Sequence, residues 1–247
     1  MGTSNIFNGR KNSFNNNQND ANVNSNYDWK NVKSNFSKYI NSDGKIGSIK
    51  DISRGYVKAS GGSKTMKQQS SSGLNAGKRL VSIINSIQRN GFQTTLENIG
   101  INYENKSLNE VFSLLINVIS PSSNSKEDSV ARIAVQDACA KIFDFIEENN
   151  LSLDSIDSMP VELFNETLCE FLSSYVWTMM MKDLESRLEK YSNTPEKAVS
   201  IENDFKDLIH STVEIELSKD NNIFGENATT SIESIYERCI KNLEGIE

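Results

Sequence analysis

Between Leu168 and Met181 the chain reads LCEFLSSYVWTMMM, apolar on nearly every side of a helix and broken by one charge, Glu170. A bilayer span needs ~18 or more uninterrupted apolar residues, so this stretch has to be covered by protein instead. A helix that is apolar all round belongs at the centre of a bundle. Ser158 and Pro160 open the pattern that contains it, and the pattern runs to about Tyr191. Phe171, Val176, Leu184 and Leu188 are its expected core positions.

The remaining segments supply the stripes that such a centre needs. Trp29, Val32, Phe36, Tyr39 and Ile40 fall at helical spacing and end at the turn-forming Asn41 to Gly44. Ile49, Ile52, Tyr56 and Val57 make a second stripe, stopped by Gly61 and Gly62. From Leu74 a stronger pattern uses Leu80, Val81, Ile84 and Ile87 and closes at Asn90-Gly91. Ser107 and Glu110 form a capping box before Val111, Phe112, Leu115 and Ile119, and Pro121 ends that helix. Ser125 and Asp128 start a long helix to Asn149, with Val130, Ile133, Ala134, Ala138, Ile142, Phe143 and Ile146 expected inside. Thr194-Pro195 is an N-cap and first-turn pair ahead of Val199, Phe205, Leu208, Ile209 and Val213. The last helix carries Ile232, Ile235, Tyr236, Cys239, Ile240, Leu243 and Ile246. No strand pair with hairpin signals occurs, so the expected fold is all-α, a multi-helix bundle-like domain.

Ahead of it the composition changes. From Ile6 to Asn26 the chain is dominated by Asn, Ser, Gln and Gly, too little apolar surface to offset the entropy of ordering. Three parts are therefore expected: a disordered Asn-rich tail (1–26), short helices with a basic Gly/Ser-rich junction (27–72), and a helical domain (73–247). Charge is distributed unevenly as well. Residues 1–90 hold 14 Lys or Arg against 4 Asp or Glu, and residues 91–247 hold 12 against 29. A basic arm of this kind binds nucleic acid, docks on an acidic partner, or pairs with its own acidic half. It has no block of five consecutive basic residues and no RNA-binding signature, so nucleic acid is the weaker reading.

The chemistry of a catalyst is hard to find. His210 is the only histidine and has no ligand partner at metal-binding spacing. Gly62-Ser63-Lys64-Thr65 lacks the remainder of a phosphate-binding loop, and no zinc-protease, hydrolase or dinucleotide motif is present. Glu147, Glu148, Asp154, Asp157, Glu185 and Glu189 read as solvated helix faces or loops. No enzyme activity, cofactor or metal is expected. Cys139, Cys169 and Cys239 are far apart and odd in number, which suits buried reduced thiols in a cytoplasmic protein. Neither a secretory signal nor a membrane segment is legible. Gly2 is of more interest, since an initiator Met before so small a residue is removed to leave a free amine. The myristoylation pattern fails because position 6 is Ile.

Several short motifs carry a resemblance. MGTS at the start, the Trp29 helix, Tyr39-Ile40 with Gly44, and Gly55-Tyr56-Val57 followed by Gly61-Gly62-Ser63-Lys64 resemble the QatB component of Qat antiphage defence systems. The pattern continues through Gly73, Gly77 and Arg79, then Asn98-Ile99-Gly100, then Asp128, Ala131, Arg132 and Ala134. It covers roughly residues 1–6 and 27–147. The tail departs from it, being Asn-rich where a Pro-rich segment is expected. The resemblance implies a partner set comprising an ATPase, a QueC-like enzyme and a TatD-like nuclease. QueC-like enzymes in bacterial defence resemble ligases that join a deazaguanine base to an N-terminal glycine amine, and Gly2 is the matching residue. Thr3 and Ser4 beside it, with Gly61, Gly62, Lys64 and Arg79, are the residues expected to meet partners.

Overall fold

One helix of 31 residues, Val161–Tyr191, forms the axis around which the others pack. The chain is described here from a computed structural model covering residues 28–121, 125–151, 156, 160–220 and 228–246. Among those residues there are ten helices and no strand. They are α1 (Trp29–Asn41), α2 (Ile49–Ala59), α3 (Gly62–Gln69), α4 (Ser71–Asn90), α5 (Phe92–Asn98), α6 (Leu108–Ile119), α7 (Lys126–Glu148), α8 (Val161–Tyr191), α9 (Pro195–Ser218) and α10 (Ala228–Glu244). The all-α expectation holds.

Helix α8 is enclosed as its composition requires. Leu168, Phe171, Leu172, Tyr175 and Val176 are buried, and Leu184 and Leu188 continue the buried side beyond the apolar run. The flanking helices α7 and α9 both run antiparallel to it. Asp137 of α7 accepts from Ser174 at 2.5 Å, and the earlier Lys126 carbonyl accepts from the later Lys182. On the other flank Trp177 packs near Phe205, and Cys169 lies beside His210. Helices α1 and α4 cover further sides of α8, and α10 closes against α2, α3, α4 and α9.

Local signals start several of these helices where expected. The Ser107 hydroxyl accepts from the Glu110 N–H at 3.3 Å while the Glu110 carboxylate accepts from the Ser107 N–H at 2.8 Å. Ser125 and Asp128 make the same reciprocal pair. Thr194 caps Lys197 N–H ahead of Pro195. The Asn41 to Gly44 break is a tight turn with Asp43 and Gly44 at positive φ, 52° and 76°.

Three expected core positions are corrected. Ile133 is 41% exposed, because the buried side of α7 runs through Ala131, Ala134, Val135, Ala138 and Ile142. At ~100° per residue, Ile133 faces away from that stripe. Val199 is exposed for the same reason: Ile201, Phe205, Ile209 and Val213 form the inward row of α9, and two residues is about 200° of rotation from Ile201. Ile246 is exposed and outside α10, since Gly245 turns the chain at φ 77°. Helices α3 and α5 are additions to the sequence reading, and α4 begins three residues before Leu74. The Asn-rich tail, residues 122–124 and Ser158 lie outside the described residues.

Candidate functional site

The Gly/Ser-rich junction from Arg54 to Arg79 is where most sequence motifs meet, and it is almost wholly helical. Gly61 and Gly62, at φ 97° and 83°, turn the chain between α2 and α3, a conformation that suits residues without a Cβ. Both α3 and α4 then begin without a side-chain cap of their own. Gly61 has none to offer. The Ser70 hydroxyl bonds the Met66 carbonyl at 2.8 Å and meets the Tyr236 hydroxyl at 2.7 Å. A helix start leaves N–H groups that need acceptors, and here they come from far along the chain. Ser63 N–H donates to Glu244 of α10 at 2.9 Å. Ser72 and Gly73 N–H both donate to one oxygen of Glu127 in α7, at 2.7 and 3.0 Å. That same oxygen accepts from the Tyr175 hydroxyl at 2.9 Å. Carboxylates at helix N-termini are favoured by the helix dipole as well as by these bonds.

The glycines of α4 serve contact with α8. A Cβ on Gly73 would stand 2.1 Å from the Tyr175 ring, and one on Gly77 would stand 2.8 Å from the Phe171 ring. With Tyr236, these rings make a dense aromatic layer under the junction. Burial pushes the Tyr175 and Tyr236 hydroxyls well above the usual range, so both stay neutral donors. Tyr56 of α2 is raised likewise, by burial and then by Asp183, to which it donates at 3.2 Å.

The outer side of the junction faces α10 across a groove of about 640 Å³. Lys67 pairs with Glu237 at 2.7 Å, Lys241 pairs with the same carboxylate at 2.8 Å, and Lys78 pairs with Glu233. Bonds from Lys241 and then Lys67 outweigh burial and hold the Glu237 carboxyl down to about 2. Lys67 and Lys78 of the basic arm are thus answered by the acidic half of their own chain. Lys197–Asp43, 2.7 Å apart, ties the halves together in the opposite sense.

Of the residues expected to meet partners, Gly61, Gly62 and Lys64 come together beside α10, with Lys64 exposed on the groove. Arg79 points elsewhere. It donates to the Ile119 carbonyl at 3.2 Å, while Arg132 donates to the Ser120 carbonyl and to Asn117, each at 2.6 Å. The two arginines together satisfy the carbonyl end of α6. Gly2, Thr3 and Ser4 lie outside the described residues.

The family described as Qat anti-phage system associated protein QatB matches residues 61–243. The chain belongs to the QatB family. No curated protein and no solved structure matches it. The matched span begins at Gly61 and ends one residue before Glu244, so it takes in both faces of the junction groove. It extends well past residue 147, where the motif resemblance stopped, and leaves out MGTS, α1 and α2. QatB membership makes the chain a component associated with an anti-phage defence system.

Elsewhere in this QatB-family chain, His210 and Cys169 come within 3.5 Å at a groove between α7, α8 and α9. Burial pushes the Cys169 thiol up to about 11, so it is held as a thiol. Burial likewise raises Cys139 and Cys239 to about 12, and all three cysteines are buried and free. Among the described residues no group of three or more His, Cys, Asp or Glu could hold a metal ion, and no helix is long and apolar enough to cross a membrane. Sequence reasoning missed Glu127 and Glu244 because neither has a local signature. Only Gly61, which brings no side chain to the start of α3, hinted that an acceptor must come from outside; Ser70 before α4 is a good cap by type, and its engagement with Met66 and Tyr236 has no local signature.

Proposed function

We propose that this chain is a non-catalytic substrate and assembly component of a Qat system, acting through Gly2. After loss of Met1 the Gly2 α-amine accepts a deazaguanine-type base from a QueC-like partner, and the helical body binds the system's ATPase. The observation that carries the reading is the terminal MGTS, which resembles the family terminus and precedes some twenty residues poor in apolar side chains. Membership of the QatB family supports the setting.

The chemistry asks for a neutral nitrogen. An α-amino group has a pKa of about 7.7–8.0 and is substantially neutral near pH 7.5, whereas a lysine at about 10.4 is not. The amine forms one bond to an activated carbon of the base, the activating group departs, and one proton is released; the partner enzyme supplies the activation. Glycine has no side chain to obstruct entry into that enzyme's active site.

Intact mass of the chain co-expressed with its neighbouring genes tests this. The wild type should carry added mass on a Met-less chain. Gly2→Glu should lose both that mass and phage protection while keeping the wild-type melting temperature. Unmodified wild-type protein together with protection by Gly2→Glu would leave an unmodified helical scaffold, binding through its acidic helices, as the better reading. Nucleic-acid binding is disfavoured by the pairing of Lys67 and Lys78 within the chain; salt-sensitive DNA binding would reopen it.

A further inference from the structure

A second cleft, away from the junction groove, lies between α2, α9 and α10 and encloses about 320 Å³. Lys50 and Arg54 of α2 stand on one side, and Leu208, Ile215 and Leu243 supply apolar lining. No carboxylate lines it, although residues 91–247 carry 29 acidic residues against 12 basic ones. Ser53 also lines the cleft. It is fully buried, and its hydroxyl has no hydrogen-bond partner. That hydroxyl is sealed beneath the cleft floor, so the groups a ligand meets there are Lys50 and Arg54. Lys50, Ser53 and Arg54 are spaced i, i+3 and i+4 and share one side of α2.

Arg54 pairs with Asp51 at 3.2 Å and crosses the chain at Gly245, where a Cβ would stand 2.5 Å from its Nε. Ile215 is 55% exposed in the same cleft and extends the apolar lining of Leu208 and Leu243 to the surface. We propose that this cleft is a docking site for a partner protein's peptide segment in which an acidic residue neighbours an aliphatic one. The carboxylate sits between Lys50 and Arg54, and the aliphatic side chain covers Ile215 and Leu208. A nucleic-acid backbone fits less well, since the positive charge is confined to one side and the apolar lining has nothing to offer phosphates.

The test uses the full chain and a fluorescent, end-blocked hexapeptide alternating glutamate and leucine, with a lysine–leucine version as charge control. Binding of the acidic peptide with a dissociation constant at or below about 1 mM is expected. Lys50→Glu and Ile215→Asp should each weaken it by about tenfold or more. Lys30→Glu, the same charge change on exposed α1, should not. Ser53→Ala changes no group that a peptide can reach and should leave binding intact. Gly2→Glu should leave binding intact, so failure here and failure of the modification reading are separate results. Absent binding, equal binding of the lysine peptide, insensitivity to Lys50→Glu, or displacement by a single-stranded oligonucleotide would each overturn the proposal.

Discussion

Helices α6 and α7 start on caps written beside them, whereas α3 and α4 start on acceptors that arrive from other helices. Ser107 with Glu110 and Ser125 with Asp128 close their boxes across three residues. Glu127 reaches the start of α4 from 54 residues away, and Glu244 reaches the start of α3 from 181. The difference lies in what each helix start must do. The starts of α6 and α7 are exposed, and a serine cap suffices there. The start of α4 lies against the rings of α8, where Gly73 leaves room for Tyr175 and the hydroxyl of the N-cap residue Ser70 is taken by the Met66 carbonyl and Tyr236. Where the N-cap residue has no side chain, as at Gly61, or has its hydroxyl engaged elsewhere, as at Ser70, capping has to come from other helices, and the acidic half of the chain supplies it.

The sharpest way to break this contrast is Gly73→Ala. The new methyl would sit on the Tyr175 ring, within a layer that has no space to give, and a loss of about 3 kcal/mol is expected in chemical denaturation. A shift below about 1 kcal/mol would show that α4 and α8 are less tightly apposed than described. Next comes Glu127→Ala, which strips two backbone donors and the Tyr175 hydroxyl of their acceptor, for about 2 kcal/mol. Because one oxygen takes all three bonds, Glu127→Gln should recover most of that loss, short of the ~0.3–1 kcal/mol owed to charge at a helix start. If Gln behaves like Ala, charge and not acceptance is the main contribution.

The local cap should be worth less. Ser107→Ala is expected to lower stability by about 1 kcal/mol, read as a shift in the denaturation midpoint, with little effect on the junction. The smallest effect is electrostatic. Glu237 has its carboxyl lowered from the ordinary 4.5 to about 2 by Lys241 and Lys67. Its contribution is therefore complete above about pH 4.5 and is lost as pH falls toward 2. These pairs are partly exposed, so Glu237→Gln should cost less than about 1 kcal/mol at pH 7. The variant should also show a shallower fall in melting temperature between pH 4.5 and 2. An unchanged acid profile would mean the groove lysines do not hold α10 to the junction.

Sequence periodicity was enough to identify the central helix, its flanking stripes and the exposed caps, because a helix repeats every 3.6 residues and each cap spans only three. The same reasoning failed at Ile133 and Val199, where a hydrophobic residue sits off the inward row of an otherwise apolar helix. It also missed α3, a polar helix of eight residues with two buried side chains, Ser63 and Met66, whose stability comes from docking. The candidate site was half legible. Gly61, Gly62 and Lys64 are near one another in the chain and remain so in space. Arg79 was grouped with them by motif and is separated from them by helix geometry.

By itself the sequence determined that the chain is all-α, that residues 168–181 must be enclosed, and that its two halves carry opposite charge. Each of these depends on neighbouring residues or on simple sums. Only the tertiary structure decided which carboxylates answer the junction, that Gly73 and Gly77 are there for Tyr175 and Phe171, and that Ser53 is left unpaired beside Lys50 and Arg54. Those outcomes depend on which helix face meets which at a few ångströms, and separation along the chain carries no record of that distance.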